Sequence, residues 1–355
     1  MTGRDPLALG VFMPNCSNMP SISTHGVIAE QWQYPNNERI AQLAESLGFD
    51  YLFPVSRWRG FGGETNYLGT SLETTTWAAA LLRATHRIRI FSTVHIPLFH
   101  PMVIAKIGAT LAHISNNRWG LNVVSGWSER EFSMMGLTLD DHGRRYERTS
   151  AFIEILRGLW EQNGKPVDHR SDWYTINAGV SLPRPTMMPE IANAGVSADA
   201  QAMTARLCDW SFMSGANIEA LPKLVGSISA QAEVQGRTVK TAIFPFLLWR
   251  NTEAEAQEEL QQIIACKDGE AARNWLHDIT AGSGSFDEFT ENLIAASGGG
   301  LPLLGNAEMV AEQLQAIYDS GVDAVMITLQ DYERDLRRFG NEVLPILQRM
   351  GVTRS

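Results

Sequence analysis

The sequence predicts an α/β fold of the (β/α)8 type, a TIM barrel in which eight parallel strands alternate with helices. Short apolar runs alternate along the chain with amphipathic segments of helical period, as happens when crossover helices connect parallel strands. The first apolar run is not followed by GxGxxG, the motif that would favour an open dinucleotide-binding sheet. A chain of 355 residues is long enough for one barrel domain with insertions.

The predicted strands are short apolar runs, and each ends at or just before a polar residue or glycine. They comprise residues 7–14, 51–55, 88–95, 119–125, 191–195, 210–214, 242–249 and 324–329. The predicted helices comprise residues 37–48, 72–84, 102–114, 146–160, 198–208, 221–234, 253–264 and 307–320. Several of these helices end at or just before glycine, which is typical of helix C-termini.

Two stretches interrupt the alternation of strands and helices, at about residues 163–189 and 265–304. We interpret them as insertions after strands 4 and 7 within a single domain that spans residues 1–355. The second stretch contains the glycine-rich segments GSGSF and SGGGL. It could form a mobile lid over an active site, or a surface loop without a functional role.

The composition is that of an ordinary globular protein, with 44% hydrophobic and 19% charged residues. A formal net charge of -10 argues against nucleic acid or an anionic membrane surface as a partner. The sequence contains no secretion signal and no apolar run of about 18 residues, so we expect a cytoplasmic protein. Three dispersed cysteines, Cys16, Cys208 and Cys266, predict neither a disulfide framework nor a metal site.

Polar side chains at the ends of the predicted strands are the candidate site residues, because the carboxyl ends of barrel strands form the active face. They include Ser56 and Arg57 after the second strand, Thr93 on the third, Asn122 and Trp127 at the fourth, and Ser197 after the fifth. The helix that follows Ser197 presents its positive N-terminal end, which can bind a phosphate. Alternatively, Asn122 could be a satisfied core amide and Trp127 a packing residue.

The cluster of Arg144, Arg145 and Tyr146 follows the fourth strand. An arginine pair can bind a phosphate, but the same arginines could form a solvated helix start paired with Asp140 and Asp141. The strand ends carry neither the carboxylate pair of a glycosidase nor the GxSxG motif of a serine hydrolase. A site so poor in acids and bases is typical of a protein whose chemistry comes from an organic cofactor.

Sequence motifs along nearly the whole chain resemble a known family. They are GVFMPN at 10–15, RGFGG at 59–63, IFST at 90–93, NVVSGW at 122–127, RRYERT at 144–149, SLPRP at 181–185, IANAGVS at 191–197 and LLGNAEMVAEQL at 303–314. On these motifs the chain resembles the bacterial-luciferase-like flavin-dependent monooxygenases. Within that family it is most similar to the group of pyrimidine oxygenase and dimethylsulfone monooxygenase.

The resemblance implies a barrel that binds reduced FMN supplied by a separate NAD(P)H-dependent flavin reductase, reacts it with O2 and inserts one oxygen atom into a substrate. The implied FMN contacts are Ser56, Arg57, Asn122, Glu131, Arg145, Tyr146 and Ser197. The implied catalytic residues are Thr93, Asn122 and Trp127. Thr93 matches a threonine near flavin N5 and the oxygen pocket, and Trp127 would face flavin or substrate. The family also implies a homodimer or homotetramer.

The substrate is the least determined part of this prediction. Arg57 stands where pyrimidine oxygenase has lysine, and aromatic residues favour a heterocyclic or aromatic substrate that is cleaved at a C–N, C–C or C–S bond. These aromatic residues are Trp58, Phe61, Tyr67, Trp77 and Phe99, of which Trp77 lies in a predicted helix and is better interpreted as core. The alternatives are a dimethylsulfone or alkanesulfonate monooxygenase, a riboflavin-degrading lyase, a deazaflavin-dependent reductase and a non-catalytic flavin-binding protein.

Overall fold

A computed structural model describes residues 4–26, 28, 30–161, 164–214, 217–280 and 288–354. Eight strands form a closed barrel, and they follow one another around it in chain order. These strands are β1 (Ala8–Phe12), β2 (Tyr51–Phe53), β3 (Arg89–His95), β4 (Trp119–Val124), β7 (Glu190–Asn193), β8 (Trp210–Met213), β9 (Lys240–Ile243) and β12 (Ala324–Ile327). Within the barrel, the six neighbouring strand pairs whose residue register is described are all parallel. This confirms the predicted (β/α)8 barrel.

Each predicted strand coincides with a barrel strand, but the seventh prediction, residues 242–249, is wrong in extent. The barrel strand β9 ends at Ile243, and β10 (Pro245–Trp249) pairs instead with β11 (Leu301–Gly305) in a separate parallel sheet. Pro245 has no N–H to donate to a strand ladder, and its carbonyl oxygen accepts a hydrogen bond from the Thr328 amide at 2.9 Å. A continuous apolar run conceals this break, because periodicity does not reveal which sheet a strand joins.

The eight predicted helices are present with ends shifted by a few residues, as expected for bounds estimated from sequence. The helices of the described residues are α1 (Tyr34–Ser46), α2 (Thr74–Ala84), α3 (Pro101–Ser115), α4 (Glu129–Ser133), α5 (His142–Trp160), α6 (Ala198–Leu207), α7 (Leu221–Val234), α8 (Glu253–Ala265), α9 (Gly269–Ile279), α10 (Glu288–Ser297), α11 (Ala307–Asp319), α12 (Tyr332–Glu342) and α13 (Leu344–Met350). Side-chain caps begin several of them, and Thr252 and Glu255 form a capping box at α8.

The two stretches that interrupt the pattern contain secondary structure of their own. Between α5 and β7, an antiparallel hairpin is formed by β5 (Val167–Arg170) and β6 (Thr175–Gly179). Between α8 and α11, the chain forms α9, α10 and β11. The GSGSF segment of the stretch predicted as a possible mobile lid occupies residues 282–286, outside the described residues.

The chain divides into two compact units, each described here by itself. The first unit comprises Met1–Leu72, Met213–Gly226 and Thr241–Ser355. The second unit comprises Glu73–Phe212 and Ser227–Lys240. None of the described helices combines the length and apolar character needed to cross a membrane.

Each unit has its own apolar core. In the first, strand residues such as Val11 and Val325 are fully buried. In the second, the rings of Trp119 and Trp160 pack edge to face at 6.1 Å. Gly108 on α3 permits this packing, because a Cβ there would lie 2.5 Å from the Trp119 ring and 2.7 Å from the Trp160 ring. The strands that carry the candidate site residues of this unit are therefore backed by rigid aromatic packing.

Candidate active site

A buried pair, Thr93 on β3 and Asn122 on β4, lies at the centre of the candidate site in the second unit. The two residues are in register on neighbouring strands, and each is 4% exposed. Asn122 Nδ2 donates a hydrogen bond to Thr93 Oγ1 at 3.2 Å. Asn122 Oδ1 is buried and has no hydrogen-bond partner among the described residues. Since buried polar atoms are nearly always satisfied, this oxygen indicates a position for a donor from a ligand.

Thr74, the first residue of α2, fixes the backbone of Thr93. Its Oγ1 donates to the Thr93 carbonyl oxygen at 2.6 Å and accepts from the Thr93 amide at 3.2 Å. The adjacent Ser92 accepts from Trp119 Nε1 at 2.9 Å. These contacts tie the end of β3 to α2 and β4, so the Thr93 side chain is held by its surroundings.

The segment after β4 turns sharply and is clamped by α5. Gly126 has a φ of +101°, which favours glycine, and its carbonyl oxygen accepts from Arg145 Nη1 at 2.6 Å. Ser125 Oγ lies 2.8 Å from Thr149 Oγ1. Trp127 is half-buried in this segment. The start of α5 is thereby held against the carboxyl end of β4.

Arg145 and Tyr146 begin a cradle that the end of β7 completes. Arg145 Nε is buried without a hydrogen-bond partner among the described residues, and Arg145 as a whole is half-buried. A Cβ at Gly195 would lie 3.1 Å from the Tyr146 hydroxyl and 2.4 Å from Ala200 Cβ. Glycine at this position therefore keeps space beside the Tyr146 phenol, which can donate to an anion.

Ser197 is the N-cap of α6, where its Oγ accepts from the Ala200 amide at 3.3 Å. Capping uses a lone pair of the hydroxyl oxygen, so the hydroxyl proton can still be donated to an anion. The N-terminal end of α6 adds a positive partial charge. Ser197 is thus compatible with both capping and the predicted phosphate contact.

Glu131 lies on the short helix α4 and is 2% exposed. Its neighbour Phe132 contacts the His95 ring edge to face at 5.9 Å. The structure therefore buries Glu131 within the second unit, and its predicted contact with FMN stays a prediction.

Ser56 and Arg57 follow β2 in the first unit. Ser56 is half-buried, whereas Arg57 is 6% exposed and lies 4.6 Å over the Phe61 ring. Arg57 Nη2 donates to the Arg59 carbonyl oxygen at 3.2 Å. A guanidinium this buried is costly unless it meets polar groups, and the Arg59 carbonyl oxygen is one of them.

The aromatic residues predicted to line the substrate pocket have different environments. Phe61 and Tyr67 are each 1% exposed and their ring centroids are 6.1 Å apart. Burial raises the pKa of Tyr67, whose hydroxyl donates to the Pro20 carbonyl oxygen. Trp58 is exposed, and Trp77 is buried on α2 as core.

Sequence reasoning missed three residues that organise the site, namely Thr74, Thr149 and Asn193. Asn193 Nδ2 donates to the Val123 carbonyl oxygen at 2.9 Å, and its Oδ1 accepts from the Gly195 amide at 2.9 Å. Asn193 and Thr149 lie inside the IANAGVS and RRYERT motifs. An asparagine two residues before a strand-end glycine is a signal that could have identified Asn193 as a turn-forming residue.

A phosphorylated flavin fits this set of residues. Asn122 Oδ1 calls for a donor, the Tyr146 hydroxyl beside Gly195 can donate to a phosphate, and so can the unpartnered Nε of Arg145. Among the described residues, we find no group of three or more His, Cys, Asp and Glu side chains placed to hold a metal ion.

A closed (β/α)8 barrel with these groups at its strand ends defines a cofactor-binding barrel protein. The sequence model of the luciferase-like monooxygenases matches residues 8–324, and the chain belongs to this family.

Relatives match almost the full length. The chain is 32% identical over 329 residues to an FMNH(2)-dependent dimethylsulfone monooxygenase of Pseudomonas fluorescens (strain Pf0-1), which covers 90% of this chain and 88% of the relative. It is 29% identical over 356 residues to pyrimidine monooxygenase RutA of Escherichia coli (strain K12), which covers 96% of this chain and 92% of the relative. A solved structure of riboflavin lyase (RcaE) with modified FMN and riboflavin superposes with a TM-score of 0.86 at 22% identity, over 99% of this chain and 93% of that chain. The last comparison concerns the fold alone.

Proposed function

We propose that this protein is a reduced-FMN-dependent monooxygenase that uses O2 to oxygenate a small heterocyclic or aromatic molecule, with cleavage of a C–N, C–C or C–S bond. The observation that carries the proposal is the buried Thr93–Asn122 pair with its unsatisfied amide oxygen. Near-full-length similarity to enzymes named for FMNH(2) and for pyrimidine oxygenation supports it.

Reduced FMN, when bound, supplies the electrons that activate O2 for transfer of one oxygen atom. In this proposal, Asn122 Oδ1 accepts a hydrogen bond from the flavin, and Arg145, Tyr146 and Ser197 hold its phosphate. The guanidinium offsets the phosphate charge, while the two hydroxyl groups supply directional hydrogen bonds. Ser56, Arg57 and Glu131 are further proposed contacts at their strand ends and on α4.

Thr93 is proposed to position oxygen. Thr93 Oγ1 accepts a hydrogen bond from Asn122 Nδ2, which directs its hydroxyl proton away from Asn122. The pair is nearly inaccessible to water, so a hydrogen bond there is stronger than at the surface. Trp127 is proposed to form an apolar wall that keeps water from the reacting groups.

The proposed partners follow from the same resemblance. A separate NAD(P)H-dependent flavin reductase would deliver reduced FMN, and the protein would be a cytoplasmic homodimer or homotetramer. The first relative is named for FMNH(2), the reduced cofactor, as its reagent, which supports delivery from outside.

Binding and turnover with different flavins test the proposal. We expect the protein to bind reduced FMN under anaerobic conditions more tightly than a reduced deazaflavin, and to consume O2 when air is admitted. Uracil, dimethylsulfone, a short alkanesulfonate and riboflavin form the first substrate panel, analysed by mass spectrometry with labelled O2. Preference for the deazaflavin without O2 consumption would contradict the proposal. FMN binding without a product from any heterocyclic substrate would contradict the proposed substrate class and leave the sulfone or alkanesulfonate monooxygenase and the non-catalytic flavin-binding protein.

Replacing Thr93 tests its proposed role. We expect Thr93→Ala to bind FMN but to lower the ratio of product formed to reduced FMN oxidised by about tenfold. The reason is the loss of the one hydrogen bond with which Thr93 is proposed to position oxygen. Thr93→Ser keeps the hydroxyl and should retain most of the coupling. Measuring peroxide release beside product gives the ratio, and equal coupling in the Ala and Ser variants would refute the role.

A further inference from the structure

A second pocket lies entirely within the first unit and contains none of the residues assigned to the flavin. It has a volume of about 430 Å³ and lies where the chain leaves β12 and enters α12. Arginines from two different elements line it: Arg250 follows β10, and Arg334 and Arg338 belong to α12. A cavity of this volume suits a small organic ligand.

The guanidinium groups of this pocket are fixed in place. Arg250 lies 3.2 Å from Glu259 Oε1. On α12, Arg334 binds both carboxylate oxygens of Asp335, at 2.7 and 3.1 Å. Each guanidinium has five N–H groups, so such a pairing leaves donors that a ligand can use. Because these side chains are already ordered, a ligand does not have to immobilise them.

Arg338 is held in the same way. It binds both oxygens of Glu342, at 3.0 and 2.9 Å, and its guanidinium lies 5.1 Å over the Trp249 ring. Stacking on an aromatic ring orients the plane of a guanidinium and leaves its edge available.

Gln330 supplies an independent indication that the pocket takes a ligand. Its side chain is 5% exposed, and its Nε2 has no hydrogen-bond partner among the described residues. Gly26, which also lines the pocket, has a φ of +72°, and a Cβ there would lie 2.3 Å from Gln330 Nε2. A side chain at residue 26 would overlap this amide, so glycine keeps the position beside it free, and an acceptor atom there would satisfy the buried donor.

The two carboxylates of the lining are already engaged by the protein. Asp331 Oδ1 accepts from the Arg334 amide at 3.0 Å and caps α12. Glu259 contacts His25 Nε2 at 2.9 Å in addition to Arg250. The groups that remain to meet a ligand are thus mainly N–H donors, and they belong to guanidinium groups whose charge neighbouring carboxylates already balance.

We propose that this pocket binds a small organic oxyanion, a molecule that carries a carboxylate or a phosphate group. The oxyanion accepts hydrogen bonds from Gln330 Nε2 and from the guanidinium groups of Arg250, Arg334 and Arg338. Fork-shaped guanidinium groups recognise both kinds of oxyanion, and the remaining volume accommodates the organic part of the ligand.

The test uses the full chain saturated with oxidised FMN and measures binding of inorganic phosphate and of succinate by calorimetry at constant ionic strength. We expect saturable binding of at least one of them, weakened about tenfold by Arg334→Gln and by Gln330→Leu. The matched control is Arg337→Gln. Arg337 is also on α12 and ion-paired, to Glu333, but does not line the pocket.

Three results would overturn the proposal: no saturable binding of either anion, equal weakening by the Arg337 variant, or unchanged binding by Arg334→Gln. The Arg334 side chain is 53% exposed, so replacing it does not disturb core packing. If the Gln330 variant does not fold, the Arg334 variant alone tests whether the pocket binds the anion. A phosphate signal that persists in Arg334→Gln and disappears in Arg145→Gln belongs to the proposed flavin site. Whether phosphate or succinate binds more tightly identifies the ligand's charged group as a phosphate or a carboxylate.

Discussion

Two buried asparagines at the ends of β4 and β7 differ in how their amides are satisfied. Asn193 donates to the Val123 carbonyl oxygen and accepts from the Gly195 amide, whereas Asn122 Oδ1 has no partner among the described residues. Both are at most 4% exposed. Asn193 therefore stabilises the fold, and Asn122 retains hydrogen-bonding capacity for a ligand.

This difference predicts opposite behaviour for Asn122→Leu and Asn193→Leu. Asn122→Leu removes an unsatisfied oxygen that costs about 1–3 kcal/mol, so the flavin-free protein should keep its stability while FMN affinity falls about tenfold. Asn193→Leu should lower the free energy of unfolding by about 2 kcal/mol or more, because it leaves backbone groups unpaired. Denaturant unfolding and FMN fluorescence titration measure both effects. A larger stability loss in the Asn122 variant would contradict the assignment.

Arg145 and its neighbour Arg144 also form a matched pair. Arg145 binds the Gly126 carbonyl oxygen and has a buried Nε, whereas Arg144 is exposed, pairs with Asp172 at 2.8 Å and stacks on Trp173.

We expect Arg145→Gln to weaken FMN binding by about 10- to 100-fold, the value of one or two charge-assisted hydrogen bonds. Riboflavin lacks the phosphate, so its affinity should hardly change in this variant. Arg144→Gln should leave both affinities as they are, since exposed ion pairs contribute little. Fluorescence titrations with the two flavins provide the measurement, and equal losses for FMN and riboflavin would show that Arg145 does not meet the phosphate.

Among the elements, the starts of α5 and α6 meet at the end of β7. The Tyr146 hydroxyl from α5 and Ala200 from α6 both approach Gly195 closely, so the size of residue 195 sets the space between the two helices. This arrangement cannot be predicted from either helix alone, because the distance between them depends on packing along the whole of both.

Gly195→Ala is therefore expected to weaken FMN binding strongly and to lower stability by about 1–3 kcal/mol, as overpacking does. Gly226→Ala is the control: Gly226 is exposed on α7 and a Cβ there would contact nothing within 4 Å. That change should stabilise the protein by up to about 1 kcal/mol through helix propensity. Thermal unfolding with and without FMN distinguishes the variants. Normal FMN affinity in Gly195→Ala would refute the proposal that the space beside Gly195 holds the FMN phosphate.

At the scale of the whole molecule, stability should depend on ionised carboxylates. The pKa values of Glu259, Asp268, Glu333 and Glu342 lie below their ordinary values. For Asp268, burial acts to raise the pKa, but hydrogen bonds from the Thr65 and Ala271 amides outweigh burial. Asp50 has the opposite shift, because burial raises its pKa more than Leu9 and Arg354 lower it.

A group with a lowered folded-state pKa contributes stability above its unfolded pKa and loses it as pH falls through the folded pKa. We therefore expect the free energy of unfolding to fall below about pH 5. Asp268→Asn should make this decline shallower. Asp50→Asn should make it steeper, since a raised pKa contributes stability at low pH that is lost as pH rises. Urea unfolding from pH 3 to pH 7 tests both directions, and parallel curves for the two variants would contradict this account.

Much of the fold could be predicted from sequence, because apolar periodicity is a local property and each barrel strand ends near a polar residue, glycine or proline. Pro245 marks the break between β9 and β10, but the pairing of β10 with β11 could not be predicted, since β11 comes from a distant part of the chain. In the site, Thr93 and Asn122 could be placed on adjacent strand ends once a parallel barrel was expected. The supporting residues Thr74 and Asn193 could not, because their partners come from other elements.

The sequence by itself determined the barrel, the strand ends that carry the polar residues and the family to which the chain belongs, because these follow from local pattern and shared motifs. Tertiary structure decided which buried polar atoms are satisfied. Asn122 and Asn193 look alike in sequence, as do the arginines of α12, but their partners lie far away along the chain. Only folding determines that Asn122 Oδ1 and Gln330 Nε2 are left without partners among the described residues, and the two proposed ligand sites rest on these atoms.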